Sequence, residues 1–330
     1  MTGGVTSRRA TINDVASAAG VSRQTVTRAM NDMRGISEAT KLRVLGAARD
    51  LSYRPSRFGR GLVKPELQTL GLLIDDLTNP FYPELASAVL GQAAKNGWNV
   101  VLADVVHTTD KHALIADLAA QVDAIVGYLQ FDEAMQPVLD GLPVVEIDPG
   151  TPRYGAVILD LGPAMAEAVA HLVAAGVRRP VMIDVSVSGV PGGRAALLVE
   201  KMRELGITTE VVMVGENAVA AGSRRTEELI ASGAEFDAVL AFNDVVALGA
   251  LLACRRQGID VPGAVRVLGI DGLTVGTYVT PQLTTLAIDF AAVARHAVEL
   301  AIAMSNGELP RSGPEVHRRV EHHLLVRESA

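Results

Sequence analysis

The sequence holds a single cysteine, Cys254, in 330 residues. An internal disulfide is therefore excluded, and its place in the apolar run "VVALGALLAC" predicts a buried thiol rather than a reactive one. Aromatic residues are scarce, at 4%, yet the hydrophobic share of 49% still provides for a core and excludes a disordered or fibrous chain. No apolar run reaches the roughly 18 residues that a membrane span needs. The opening "MTGGVTSRRA" lacks the apolar stretch of a secretory signal. These absences lead us to expect a cytoplasmic protein with no membrane partner. The seven histidines form no metal-ligand set. His322 and His323 are neighbours, which on a strand point to opposite faces. No cofactor and no metal are expected. Nucleotide and hydrolase signatures are missing too: there is no G-x-G-x-x-G after the first strand-like run, no P-loop and no G-x-S-x-G elbow. The cluster "GVPGGR" could cradle a phosphate, but it stands alone.

Charge is present but unevenly spread. The net charge is −7. Residues 1–64 carry 12 Lys and Arg against 4 Asp and Glu, whereas the rest carries 18 against 33. A basic head on an acidic body fits a head that meets a polyanion.

The head has the pattern of three short helices. Thr11 can cap the first, with Asp14 as its capping-box partner. Ile12, Val15, Ala16 and Ala19 then fall on one face. Gly20 supplies a turn that Val21 plugs. Ser22 caps the second helix, whose inward face would be Val26, Ala29 and Met30. Its other face carries Arg23, Gln24, Thr27 and Arg28. Ser37 can cap a third helix, with Leu42, Leu45, Ala48 and Leu51 inside. This is a helix-turn-helix unit. Arg reaches guanine O6 and N7 with two hydrogen bonds and Gln does the same to adenine, so Arg23, Gln24 and Arg28 are expected to read bases. Thr11, Ser22, Thr25 and Asn31 suit phosphate oxygens.

"ATINDVASAAGVSRQTVTRAMN" resembles the DNA-binding headpiece of the lactose-repressor/galactose-repressor family of bacterial transcription regulators, and "LSYRPSRFGRGLVKP" resembles that family's link into its hinge helix. The resemblance implies that Arg23, Gln24 and Arg28 hold the major-groove positions and that Leu62 enters the minor groove at the operator centre. A leucine between Arg60 and Lys64 also suits a wedge at a kinked base step. Gly59 and Gly61 stand where the family more often has Ala and Ser. We expect a flexible tail over 1–8, the DNA-binding domain over 9–54, and a hinge over 55–65 that orders on DNA.

From residue 66 strand-like and helix-like runs alternate: 69–75, 98–104, 124–129, 143–148, 156–160, 180–185, 210–214, 238–242 and 265–270. Apolar strands between helices imply parallel sheets covered on both faces, and nine or more units imply two doubly wound halves. "LGLLIDDLTNPFYPELASAVLGQAAKNGWNVVLAD", "FDAVLAFNDVVALGALLACRRQGIDVPGAVRVLGIDG", "TPQLTTLAIDF" and "HHLLVRESA" resemble the family's effector-binding domain, with the fold of periplasmic sugar-binding proteins. The expected fold is thus a small all-α helix-turn-helix headpiece and a two-lobe α/β periplasmic-binding-protein-like body over 66–330. The lobes would hold about 66–160 with 290–318, and about 161–289 with 320–330. Crossings are expected near Asp160, Asp289 and Arg319.

Ligands of open α/β sheets bind at the carboxyl ends of strands. Asp75, Asp76, Asn79, Phe81, Tyr82, Asp148, Arg194, Asn243, Asp244, Asp271 and Phe290 fall there. Carboxylates, amides, an arginine and aromatic faces suit a polyhydroxylated ligand or a nucleoside. By resemblance, Asn79, Phe81, Asp148, Arg194, Asn243, Asp271 and Phe290 match the effector-contacting positions. Each also has a plain structural alternative: an N-cap for the amides, a turn for the carboxylates, a surface charge for Arg194, packing for the aromatics. Asn217 stands where sugar-binding relatives often have a stacking aromatic, and Gly272 where a second Asp or Asn is usual. The resemblance implies a regulator, a repressor first of all, that binds double-stranded operator DNA as a homodimer under control of a small effector. A cytosolic α/β enzyme or a solute-binding protein using the same cleft is the alternative.

Overall fold

The computed structural model describes residues 12–30, 33, 35–51, 68–128 and 132–330. It comprises two compact units with their boundary between Leu67 and Gln68.

The first unit contains α1 (Ile12–Ala19), α2 (Arg23–Met30) and α3 (Glu38–Asp50). Gly20, at φ +63°, turns the chain out of α1, and Val21 N donates back to Ala16 O at 3.0 Å. Ser22 Oγ caps α2 by accepting from Thr25 N, and Ser37 Oγ caps α3 by accepting from Thr40 N, both at 3.2 Å. The core is built from Val15, Ala16, Ala19, Val26, Ala29, Val44 and Ala48. Arg43 Nε donates to Ala19 O at 3.0 Å and satisfies a carbonyl at the end of α1. The inner face of α3 differs from the expected one. Val44 and Ala48 point inward, whereas Leu42 is 63% and Leu51 38% exposed. Alanine and valine on α1 and α2 take the small Val44–Ala48 stripe, and Leu42, two residues from Val44, lies about 200° around the helix.

The second unit holds two six-stranded sheets. The first contains β1 (Thr69–Ile74), β2 (Asn99–Asp104), β3 (Ala124–Gly127), β4 (Val144–Ile147), β5 (Gly155–Asp160) and β11 (His317–Glu321), in the order β11-β5-β4-β3-β1-β2 and all parallel. Its helices are α4 (Phe81–Lys95), α5 (Lys111–Ala119), α6 (Gln136–Leu139) and α11 (Phe290–Ser305). The second contains β6 (Pro180–Asp184), β7 (Glu210–Met213), β8 (Ala238–Ala241), β9 (Arg266–Asp271), β10 (Thr284–Ala287) and β12 (His323–Leu325), in the order β12-β10-β9-β8-β6-β7. Only β12 runs antiparallel there, against β10. Its helices are α7 (Gly162–Ala174), α8 (Gly193–Glu204), α9 (Val219–Ala231) and α10 (Asp244–Arg256). Strands such as β1, β4 and β8 are buried along their whole length, as sheets covered on both faces require.

Each sheet and its helices form a lobe, and the chain passes between them after β5, after β10 and after β11. Asp160 ties the first and third passages. Its carboxylate accepts from Gly162 N at 2.9 Å and from Arg319 at 2.6 Å, and its carbonyl accepts from His322 N at 2.9 Å. Burial holds the His322 imidazole down, at about 4.

Two glycines are required where α9 crosses α10. A methyl at Gly222 would stand 2.3 Å from Val246 O, and one at Gly249 2.2 Å from Val219 O. Cys254, on α10, is fully buried, and burial pushes its thiol up to about 11. Among the described residues no helix is long and apolar enough to cross a membrane.

Candidate DNA-reading helix and effector cleft

On α2, Arg23 and Gln24 are exposed in the first turn, while Arg28 is half-buried. A methyl at Gly35 would come 3.1 Å from Arg28 Nη1, so this guanidinium lies against the turn before α3. Ser22 and Thr25 share a hydroxyl–hydroxyl bond of 2.9 Å in the cap of α2. Thr11, Asn31 and Leu62, with the tail over 1–8 and the hinge over 55–65, lie outside the described residues.

In the second unit the residues expected to bind an effector stand on both lobes. On the first lobe, Asp75 and Asp76 follow β1. Asp76 makes a turn, its Oδ1 accepting from Thr78 N at 2.8 Å. Asn79 Oδ1 accepts from Phe81 N at 3.1 Å and so shapes the entry to α4. Phe81 is the hub of an aromatic cluster, edge-on to Tyr82, Tyr128 and Phe290 with ring centres 5.3, 5.6 and 5.2 Å away. Tyr82 and Tyr128 are 5.6 Å apart. Asp148 directly follows β4 with φ +51°, an uncommon conformation for a non-glycine residue. It opens to solvent on one side. Burial on its other sides raises its carboxyl, and Arg194 opposes this.

On the second lobe, Arg194 sits in the first turn of α8. Buried Asp184 holds the preceding glycine-rich loop, its carboxylate accepting from Gly192 N at 2.7 Å and Val185 N at 2.9 Å. Arg194 Nη1 donates to Phe242 O at 2.8 Å and to Asp271 Oδ1 at 3.2 Å. Its guanidinium also lies 4.7 Å from the Phe242 ring centre. Asp271, at φ +119°, has a carboxyl pushed up to about 6 by burial and held back by Arg194. Asn243 caps α10 by accepting from Val246 N at 3.1 Å, and its Nδ2 donates to Asn217 Oδ1 at 2.9 Å. Asp244 accepts from Thr285 Oγ1 at 2.6 Å and Leu273 N at 2.7 Å, and burial pushes its carboxyl up to about 7.

These groups act on one another across the cleft. The Tyr82 phenol is raised by burial and by Asp75, Asp271 and Asp76; the Tyr128 phenol by burial and by Asp148 and Asp271; Arg194 opposes both. Asn79 and Phe81 serve mainly the entry and packing of α4, whereas Asp148, Arg194 and Asp271 converge. Tyr128 and Phe242 were not singled out from the sequence, although each directly follows a strand and the strand-end rule reaches both. A separate cavity of about 460 Å³, lined by Asp140, Arg153, Tyr154 and Arg311 among others, involves none of the cleft residues. Among the described residues no group of three His, Cys, Asp or Glu could hold a metal ion.

Residues 11–56 match the family model for bacterial regulatory proteins, lacI family, and residues 169–330 match that for the periplasmic binding protein-like domain. The HTH-type transcriptional regulator GalR of Salmonella typhimurium (strain SL1344) is 32% identical, across 97% of this chain and 96% of its own length. The HTH-type transcriptional repressor CytR of Escherichia coli (strain K12) is 29% identical over 97% and 96%. A crystal structure of a LacI family transcriptional regulator from Arthrobacter sp. FB24, in complex with lactose, is similar with a TM-score of 0.76 at 31% identity. It covers 80% of this chain and 99% of that one.

Proposed function

Because this chain belongs to the lacI family of bacterial regulatory proteins, and is thus a DNA-binding transcription regulator and not an enzyme, we propose that it is an effector-controlled repressor. It acts in the cytoplasm as a homodimer on a pseudo-palindromic operator. Arg23, Gln24 and Arg28 read bases, Thr11, Ser22, Thr25 and Asn31 hold phosphates, and Leu62 enters the minor groove. A two-fold dimer sets two recognition helices one or more helical turns apart on the duplex. Exposed apolar residues that such a dimer could cover stand on both lobes, Leu90 on α4 and Leu102 on the edge strand β2, and Tyr278, 77% exposed, on the other lobe.

The effector binds between the lobes. The observation that carries this is the convergence of Asp148 from one lobe with Arg194 and Asp271 from the other, beside Tyr82 and Tyr128. Asn79, Phe81, Asn243 and Phe290 complete the surround. Asp75, Asp76, Asp148 and Asp271 stand against one guanidinium, which already donates to the protein. That balance favours an uncharged polyhydroxylated ligand, or one with an amine, over a phosphate ester. The lactose complex of the Arthrobacter relative supports a sugar-like effector, and the cleft chemistry suits a nucleoside as well. Such a ligand changes operator affinity only through different affinities for two lobe arrangements. Selection of bound sequences from a random DNA pool tests the DNA half. The reading expects a pseudo-palindrome, and an unstructured set of sequences contradicts it. A thermal-shift screen of sugars, nucleosides and sugar phosphates tests the ligand half.

A further inference from the structure

Thr274 opens a short 3₁₀ turn, Thr274–Thr277, on the second lobe. Its N–H donates to Glu84 Oε1 at 2.9 Å and its hydroxyl to Glu84 Oε2 at 3.3 Å. Glu84 belongs to α4 of the first lobe, 190 residues away in sequence. Among the described residues, these are the side-chain hydrogen bonds that join the lobes away from the three passages. Apolar contacts lie beside them: Leu273 and Val245 of the second lobe pack in one cluster with Phe81 of the first.

Both ends of this link touch the cleft. Glu84 lies in the first turn of α4, two residues after Tyr82. Thr274 lies three residues after Asp271, and the segment between them is held at each residue. Asp271 bonds Arg194, Gly272 N donates to Thr285 Oγ1 at 3.2 Å, and Leu273 N donates to Asp244. Gly272 takes φ +80°, and a methyl there would stand 2.5 Å from Ala287 Cβ. A segment pinned so closely moves as one piece, so a shift at Asp271 is transmitted to Thr274.

We propose that Glu84 and Thr274 form an inter-lobe clasp that holds the cleft closed and positions Asp271, so that occupancy of the pocket is read by α4. The positioning part rests on the reading of the cleft as the effector site; the clasp itself does not. Its bonds are solvent-exposed, so their loss should shift the closed-to-open ratio only modestly, about fivefold.

The test uses the full chain without effector. Spin labels at Ala113→Cys on α5 and Ala231→Cys on α9, in a Cys254→Ala background diluted with unlabelled chains, report the lobe separation. Glu84→Ala removes both acceptors. Thr274→Pro removes both donors at the first position of a turn, where proline is tolerated. Each should enlarge the long-distance population about fivefold, and the double variant should enlarge it no further. Glu84→Gln keeps an acceptor and should restore most of the closed population. Distance distributions unchanged in both single variants, or a double variant whose shift is the product of the two, would overturn the clasp. Failure of the effector reading shows elsewhere, as ligand binding that ignores Asp271→Ala.

Discussion

Replacing Arg194 by Ala isolates the charge on Asp271. The guanidinium donates to Asp271 Oδ1 at 3.2 Å and to Phe242 O at 2.8 Å, and the Asp271 side chain is 3% exposed. Removing one partner of a buried ion pair costs about 3–5 kcal/mol when the other charge must remain. Here it need not remain, because burial already pushes the Asp271 carboxyl up to about 6 and Arg194 is what holds it there. Without Arg194 it rises further, and the folded state binds a proton instead. At pH 5 the carboxyl is protonated with or without Arg194, so the loss is that of the two hydrogen bonds, about 1–3 kcal/mol together. At pH 8 the parent holds a paired anion, while the variant must bury a bare one or take up a proton. The extra loss is about 1.4 kcal/mol for each pH unit by which the titration has moved up. The sign follows from linkage. A carboxyl that titrates higher when folded than its ordinary 3.8 contributes stability that is complete below that value and is lost as pH rises through the folded value. Moving the folded value upward carries the loss to higher pH. Urea unfolding of both proteins at pH 5 and pH 8 measures this. The gap between them should widen at pH 8 by about 1 kcal/mol or more. An equal gap at the two pH values, or a wider one at pH 5, refutes the reasoning.

Other predictions concern single residues. Arg23→Ala, Gln24→Ala and Arg28→Ala should each weaken binding to the selected operator by about 1–3 kcal/mol and relax preference at one base pair. A loss that is uniform across all sequences would mark a phosphate contact instead, and binding isotherms on single-base operator variants separate the two. Gly249→Ala should destabilise the body by about 1–3 kcal/mol in urea, because its methyl meets Val219 O at 2.2 Å; an unchanged midpoint would mean that α9 and α10 part freely. His322 is held neutral to about pH 4 against an ordinary 6.5, so its contribution is complete above 6.5 and is lost as pH falls toward 4. His322→Asn should lack that part of the acid dependence, and an identical pH–stability curve from 7 to 4 would contradict it.

The alternating runs of the body were legible because parallel strands buried on both faces must be apolar throughout. Each of the nine runs read as strands corresponds to an observed strand. The segment Thr284–Ala287 was not among them, since Thr284 and Thr285 do not look like core. Their hydroxyls are satisfied inside, Thr285 by Asp244, which is what lets them be buried. Asp148 and Asp271 were legible as carboxylates at strand ends, and Arg194 as the opening of a helix after a glycine-rich loop. The bond from Arg194 to Asp271 was not, nor was the pairing of Glu84 with Thr274, because spacing along the chain says nothing about which side chain another meets. The inward face of α3 departs from the expected one for a related reason: Leu42 carries more apolar surface than Val44, but the groove offered by α1 and α2 selects for phase and size.

The central claim is that ligand between the lobes controls the hold on DNA through Asp271. Fluorescence anisotropy on the selected operator tests it, for the parent and for Asp271→Ala, with and without the ligand found by thermal shift. Without ligand the two proteins should bind the operator equally well. With ligand the affinity should change about tenfold or more in the parent alone, since truncating one partner of a buried charged hydrogen bond removes a few kcal/mol of binding. An Asp271→Ala protein that responds to ligand as the parent does would contradict it.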